Sequence, residues 1–295
     1  MMRKRELLAD GALALVTFIW GSTFVLVKDI IEQVSPLLLL SVRFTVAALA
    51  LAAVTALLGR LRGLTMRELG WGVLIGAALW AGYALQTLGL QGTTASNGGF
   101  ITGLSVVVVP FLSPFFLKIK PDRWAWVGVV ACTAGLALLS FHQVGGISLN
   151  RGDPLVLGCA LAFALQIVII ARVAHMADPF RVATVQVTFA ALLSCLAAIL
   201  LEHPVAGLKP EVWAGAAFLG LAATALAFTV QMSVQRYTSA VHTALIFTLE
   251  PVVAAIFGAW LQSDKLEATA WLGAGIILVG MLTTELGPYL LKQRA

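Results

Sequence analysis

The chain reads as an all-α membrane protein, ten transmembrane helices arranged as two inverted five-helix repeats. Three observations predict this. Of the 295 residues, 60% are hydrophobic and only 11% charged, with mean hydropathy +0.96; a typical soluble domain has about 25% charged and about 45–50% apolar residues. The 19 basic and 14 acidic residues are clustered, which leaves long charge-free runs. Residues of the first half also recur in the second at nearly constant spacing. The composition excludes a disordered chain, which would be polar and charged. Three cysteines, Cys132, Cys159 and Cys195, all inside predicted spans, exclude a disulfide scaffold.

A bilayer core takes about 20 apolar residues of helix. The first span, 9–28, follows Arg3-Lys4-Arg5, a flank like that of a signal peptide, but nine more spans follow and it is read as a retained helix. The second, 37–58, is entered through Ser35-Pro36 and carries Arg43. The 49-residue charge-free run 69–117 holds the third and fourth, 70–90 and 95–117, divided at Gln91-Gly92-Thr93-Thr94, a turn-forming sequence. The fifth is 124–141. Asp153 opens the sixth, 154–174, and Asp178-Pro179 precedes the seventh, 182–201. The eighth is 212–235, the ninth, 240–261, is interrupted by Glu250-Pro251, and the tenth is 268–288. Barrel strands would alternate polar and apolar residues, and a segment such as Leu192 to Leu201 does not.

Lys and Arg give the orientation. Fourteen lie at the termini and in the loops after even-numbered helices, four in the loops after odd-numbered ones. Basic loops stay on the cytoplasmic side, so both termini are expected there. The net charge of +5 is thus a topology signal and no sign of nucleic-acid binding.

The halves, 1–145 and 146–295, align by two offsets. At 143 residues Asp10 meets Asp153, Ser35-Pro36 meets Asp178-Pro179, Trp20 meets Phe163 and Thr23 meets Gln166. At 145 residues Tyr83 meets Phe228, Gln86 meets Gln231, Thr93-Thr94-Ala95 meets Thr238-Ser239-Ala240, Gly128 meets Gly273 and Gly135 meets Gly280. Five spans are an odd number, so the second half enters the membrane from the opposite side. Such inverted repeats recur in secondary transporters, with the substrate at the midplane and helices interrupted at matching places. Pro110, beside Pro114, and Pro251 are the expected helix breaks.

The motifs also carry a resemblance. Asp10-Gly11, Trp20-Gly21-Ser22, Ser35-Pro36 with Arg43-Phe44, the two Thr-rich turns, Glu250-Pro251 and Gly273 resemble the ten-helix drug/metabolite transporter superfamily. Within it the chain is similar to EamA-type exporters, and among these to bacterial exporters of aromatic amino acids. The likeness spans nearly the whole chain. It departs after helices 4 and 9, where the family often has Gly-Glu and this chain has Lys118-Ile119-Lys120 and Gln262-Ser263-Asp264-Lys265. The resemblance implies export of amino acids or similar metabolites across a bacterial inner membrane.

Six tryptophans, Trp71, Trp124, Trp126, Trp213, Trp260 and Trp271, fall near span ends, where an interface belt accounts for them. Trp20, Trp80 and Tyr83 are mid-span, and a tyrosine hydroxyl needs a partner there. With their mates Phe163 and Phe228 they suggest an aromatic wall suited to aromatic or large apolar side chains. Asn97, Gln166, Gln231 and His242 are the polar groups able to bond an amino-acid head. Ordinary helix packing is the competing account of each. Two charges lie well inside spans, Arg43 and Glu250, and intramembrane charges mark function by default. Arg43 is expected to snorkel outward or pair with a carboxylate. Glu250 is a candidate proton carrier, or else bonds the peptide groups that Pro251 frees.

The expected substrates are aromatic and other large neutral amino acids. A multidrug or other metabolite permease of the same fold is the rival. A sugar-nucleotide carrier would need more cavity bases than Arg43 for its phosphates. No H-E-x-x-H motif or Ser/His/Asp set indicates an enzyme, and no metal or cofactor is expected. The Gly72-x3-Gly76 and Gly99-x3-Gly103 pairs suit close helix approach, more simply within one chain than between two, so a monomer is expected.

Overall fold

A computed structural model describes residues 2–93, 95–141, 150–202, 209–261 and 268–292, with side chains described for 4–93, 98–139, 150–202, 209–260 and 268–284. Helices dominate and no strand occurs among the described residues. In order they are α1 (Met2–Ile31), α2 (Pro36–Leu57), α3 (Met66–Leu90), α4 (Ala95–Gly103), α5 (Ser105–Leu117), α6 (Arg123–Phe141), α7 (Asp153–Val173), α8 (Pro179–Leu201), α9 (Pro210–Gly220), α10 (Ala227–Val234), α11 (Ala240–Phe247), α12 (Leu249–Leu261) and α13 (Ala268–Lys292). A π-helical turn, Leu221–Leu226, joins α9 to α10.

Each predicted segment is helical. Eight are long and apolar enough to cross a membrane, and two shorter apolar helices, Arg123–Leu139 and Ala268–Thr284, stand beside them. The outer faces carry exposed apolar side chains such as Leu57, Phe115 and Leu201, as lipid contact requires. Of the six end-of-span tryptophans, Trp126, Trp213, Trp260 and Trp271 are exposed.

Local chemistry fixes where the helices begin. Pro36, Pro179 and Pro210 occupy first helical positions, where the missing N–H removes no helical bond. The Asp178 carboxylate accepts from the amides of Phe180 (3.0 Å) and Arg181 (3.2 Å). Thr65 and Glu68 form a capping box at the start of α3, and each helps satisfy amides that have no helical acceptor.

Two predicted helices are interrupted. The fourth divides at Leu104 into α4 and α5, six residues before Pro110, so Pro110 itself is not the break. Tighter three-residue bonds mark the joint, Leu104 N to Ile101 O (3.1 Å) and Val107 N to Leu104 O (2.9 Å). The ninth divides at Thr248, three residues before Pro251. Pro251 then falls in the first turn of α12, where proline is tolerated because those amides have no helical acceptor.

The strongest packing pairs α6 with α13, α2 with α8, α3 with α7 and α8, α1 with α12, and α5 with α7. Glycines set the closest approaches. A Cβ on Gly135 would stand 2.6 Å from Gly273 O, and one on Gly273 2.5 Å from Gly135 O. A Cβ on Gly128 would stand 3.1 Å from Gly280 O on the same seam. Gly72 and Gly76 face Val185 and Gln186 of α8, and Gly103 faces Leu136 of α6, so these glycines serve packing inside the chain.

Candidate functional site

At the centre, α1, α3, α4, α5, α7, α10, α11 and α12 surround an aromatic chamber of about 50 Å³. Trp20, Tyr83, Phe163 and Phe228 all line it, together with Phe24 and Phe247. Ring centroids lie 5.4 Å apart for Trp20 and Phe228, 5.1 Å for Trp20 and Phe247, and 5.3 Å for Tyr83 and Phe163, the last two edge to face. Such tilted and edge contacts are the favoured aromatic arrangements. They fix the walls while leaving apolar ring surface toward the chamber.

Trp20 and Tyr83 of this wall have hydrogen-bond partners for their polar atoms. Trp20 Nε1 donates to Ala223 O at 2.8 Å. Arg43 is buried and does not snorkel, and it forms no ion pair among the described residues. Its Nε donates to Thr224 Oγ1 (2.8 Å), and its Nη2 donates to the Tyr83 hydroxyl (3.2 Å) and Ala223 O (3.3 Å). Its guanidinium also stands 4.5 Å from the Tyr83 ring centroid, within cation–π range. Both acceptors on the second half, Ala223 O and Thr224 Oγ1, belong to the π-turn, and Thr224 in turn donates to Leu219 O at 2.9 Å. Single π-turns of this kind frequently lie at functional sites.

A smaller lobe of about 30 Å³ adjoins the chamber, bounded by Arg43, Glu250, Trp20 and Tyr83 among others. Glu250 faces both spaces. Among the described residues its carboxyl accepts no hydrogen bond, so the expected bonding to peptide groups near Pro251 is not what holds it.

The predicted polar residues separate. Gln166 lines the chamber. Gln231 lies behind it, fully buried, and does not reach the chamber. The two amides exchange bonds of 3.3 Å, and Gln231 Nε2 also donates to Gln235 Oε1 at 3.1 Å. Gln231 therefore orients Gln166 and is no wall residue. His242 is elsewhere. Its Nε2 lies 3.4 Å from Asp10 Oδ2, in a vestibule of about 890 Å³ with Arg67, Lys120, Arg172, Arg236 and His175 on its walls. The Asn97 side chain lies outside the described residues. Trp80 packs partly buried against the core around Trp20 and does not line the chamber.

Residues that the sequence reading did not select include Phe247, Phe24, Thr102 and Ser105 on the walls, and Thr224 as the anchor of Arg43. Gln86, mate of Gln231, donates to Thr102 Oγ1 at 3.1 Å. Phe247 was within reach of sequence reasoning, since it precedes the Glu250-Pro251 interruption on the same helix.

The two ends of the molecule differ. Opposite this vestibule, the start of α7 is sealed against the end of α3. Gly152 N donates to Gly92 O at 3.0 Å, Thr93 Oγ1 donates to Asp153 Oδ1, and Asn150 N donates to Asp153 Oδ2 at 2.8 Å. The matching residues at the vestibule are Thr238 and Asp10. There Asp10 Oδ1 is buried with no hydrogen-bond partner among the described residues.

The chain matches the description "EamA-like transporter family" twice, over residues 7–141 and 150–285. It is 33% identical over 283 residues to an "Uncharacterized transporter" of Archaeoglobus fulgidus, covering 96% of this chain and 87% of that one. It is 27% identical over 300 residues to the "Uncharacterized inner membrane transporter YedA" of Escherichia coli (strain K12), covering 99% and 96%. A solved crystal structure shares the fold with a TM-score of 0.78 at 19% identity, covering 95% of this chain and 97% of that one. A double match over nearly all of its length, with helices apolar enough to cross a membrane around an aromatic chamber, leads to one conclusion: this chain is a multi-pass membrane protein belonging to the EamA-like transporter family.

Proposed function

We propose that the protein is a secondary transporter that exports aromatic and other large neutral amino acids across the bacterial inner membrane by alternating access. Its ten helices form two inverted five-helix repeats, and both termini are cytoplasmic. The observation that carries this reading is the chamber itself. Trp20 and Tyr83 from one half meet Phe163 and Phe228 from the other, in the register that the repeat offsets require. The α6–α13 seam supports the repeat. Gly128 and Gly273 are mates, as are Gly135 and Gly280, and the contacts cross over: Gly128 with Gly280, Gly135 with Gly273. A two-fold relation between halves produces that exchange of partners.

The ends support alternation. One is sealed through Gly92, Gly152, Thr93 and Asp153, while the equivalent Asp10 and Thr238 border an open vestibule. On the proposed orientation the vestibule is cytoplasmic and the sealed end external, the state that receives an export substrate. Closing Thr238 onto Asp10 while parting Thr93 from Asp153 exchanges the two arrangements.

The experiment is uptake of labelled phenylalanine, tryptophan, leucine, alanine and a lipophilic drug cation into proteoliposomes of the purified full chain. Uptake of the large neutral amino acids above empty liposomes, reduced in Trp20→Ala and Tyr83→Ala at equal membrane content, is the expected result. Uptake of the drug cation alone would replace this reading with a multidrug permease.

A further inference from the structure

Arg43 on α2 and Glu250 on α12 border the same small lobe beside the aromatic chamber. They are opposite charges deep among apolar helices, yet no nitrogen–oxygen approach of 4.0 Å or less joins them among the described residues. Direct pairing would be the simplest way to offset the cost of burying both. Three contacts hold Arg43 away from it: Thr224 and Ala223 on the π-turn, and Tyr83. These occupy Nε and Nη2. The Nη1 donors make no hydrogen bond among the described residues, and neither do the oxygens of Glu250. A donor pair and an acceptor pair thus border one space, with their own partners missing and an apolar compartment next door.

A small ligand that completes this arrangement presents a cation to Glu250, an anion to Arg43 and an apolar group to the rings. An α-amino acid has all three on one carbon. We propose that Arg43 and Glu250 form a head-group site for the zwitterion: the ammonium on Glu250, the carboxylate on Arg43 through Nη1, and the side chain among Trp20, Phe163, Phe228 and Phe247. The proposal rests on the transporter reading above and adds a requirement to it. The substrate must carry both head charges, so amines and carboxylic acids of the same side chain are poor ligands. Arg43 has a second task, since it holds the Tyr83 hydroxyl. Glu250 has no such structural bond and is the cleaner position to change.

The test uses proteoliposomes of the full chain and labelled phenylalanine, with three competitors that share one ring: phenylalanine, phenethylamine, which lacks the carboxylate, and 3-phenylpropionate, which lacks the ammonium. In the wild type each truncated analogue competes about 10- to 100-fold more weakly than phenylalanine, the loss expected for one charge-assisted hydrogen bond. Glu250→Gln weakens phenylalanine and narrows or inverts its advantage over 3-phenylpropionate. Arg43→Gln does the same relative to phenethylamine. A change of rank order cannot come from misfolding, and if Arg43→Gln does not reach the membrane the Glu250→Gln comparison decides. Wild-type uptake of phenylalanine with all three competitors equal overturns the head-group site and leaves the transporter reading standing. A wild-type advantage of phenylalanine over 3-phenylpropionate retained in Glu250→Gln does the same. No uptake of phenylalanine at all overturns the transporter reading, and this proposal with it.

Discussion

Placing a single methyl group at Gly152 should unseal the external end. The backbone there has φ −80° and ψ −21°, a conformation that alanine adopts without strain, so the effect is one of space alone. An added Cβ would stand 2.0 Å from Gly89 O and 2.8 Å from Gly92 C. Both are backbone atoms and cannot swing aside. Reaching ordinary contact at 3.4 Å parts the end of α3 from the start of α7 by about 1.4 Å. That takes the Gly152–Gly92 bond out of range and disturbs the Thr93–Asp153 bond beside it. One neutral bond is worth about 0.5–1.5 kcal/mol and one to a charged group about 1.5–3 kcal/mol. The sealed state then loses about 2–4 kcal/mol, roughly a thirty- to several-hundred-fold shift toward opening. The assay is thiol labelling. In a background without Cys132, Cys159 and Cys195, Ser105→Cys places one thiol on the chamber wall. A membrane-impermeant maleimide applied from the external side should label it slowly with Gly152 and many times faster with Gly152→Ala. Equal labelling rates in two variants of equal thermal stability would refute the seal.

Three further outcomes follow from the same geometry. Trp20→Phe keeps the ring but loses the 2.8 Å bond to Ala223 O; initial uptake should fall about 2- to 10-fold at equal expression, and wild-type uptake removes that bond from the site. Gly135→Ala sets a Cβ 2.6 Å from Gly273 O and should destabilise the protein by about 1–3 kcal/mol, read as a lower melting temperature in detergent; an unchanged melt means the seam is not tight. Glu250 serving the ammonium group alone leaves uptake indifferent to an imposed pH gradient, whereas a gradient response that Glu250→Gln abolishes assigns it a coupled proton instead.

Much of the fold was legible because lipid imposes a simple rule on charge. The gaps located each helix, but the first turns were cut short. Predicted starts at 9, 70 and 182 became Met2, Met66 and Pro179, since helices continue past the apolar core through charged turns such as Arg67-Glu68. Pro110 shows a second limit: proline removes a bond at its own position, but the helix divides six residues earlier, at Leu104. The aromatic chamber was legible because mid-span Trp20 and Tyr83 require partners and the repeat offsets supplied Phe163 and Phe228. His242 is set apart by depth, since it lies in the first turn of its helix, but Gln231 was not separable from Gln166 by the same reasoning. Spacing gives the helix and the depth, but whether an amide faces a space or another amide depends on packing. The π-turn left no periodic trace, so Thr224 and the restraint it places on Arg43 were invisible.

The crossed glycine contacts between α6 and α13 have a consequence for ancestry. Each proposed half carries on one helix face both a notch and the backbone that fills its counterpart's notch. Such a face is self-complementary. A five-helix chain inserted in both directions would already own the surface needed to associate with its upside-down copy. Joining two copies end to end would then require no new interface, only a linker. Tandem duplication is thus a short step to this architecture, and the same seam resists later divergence, because a methyl group added to either helix is felt by both.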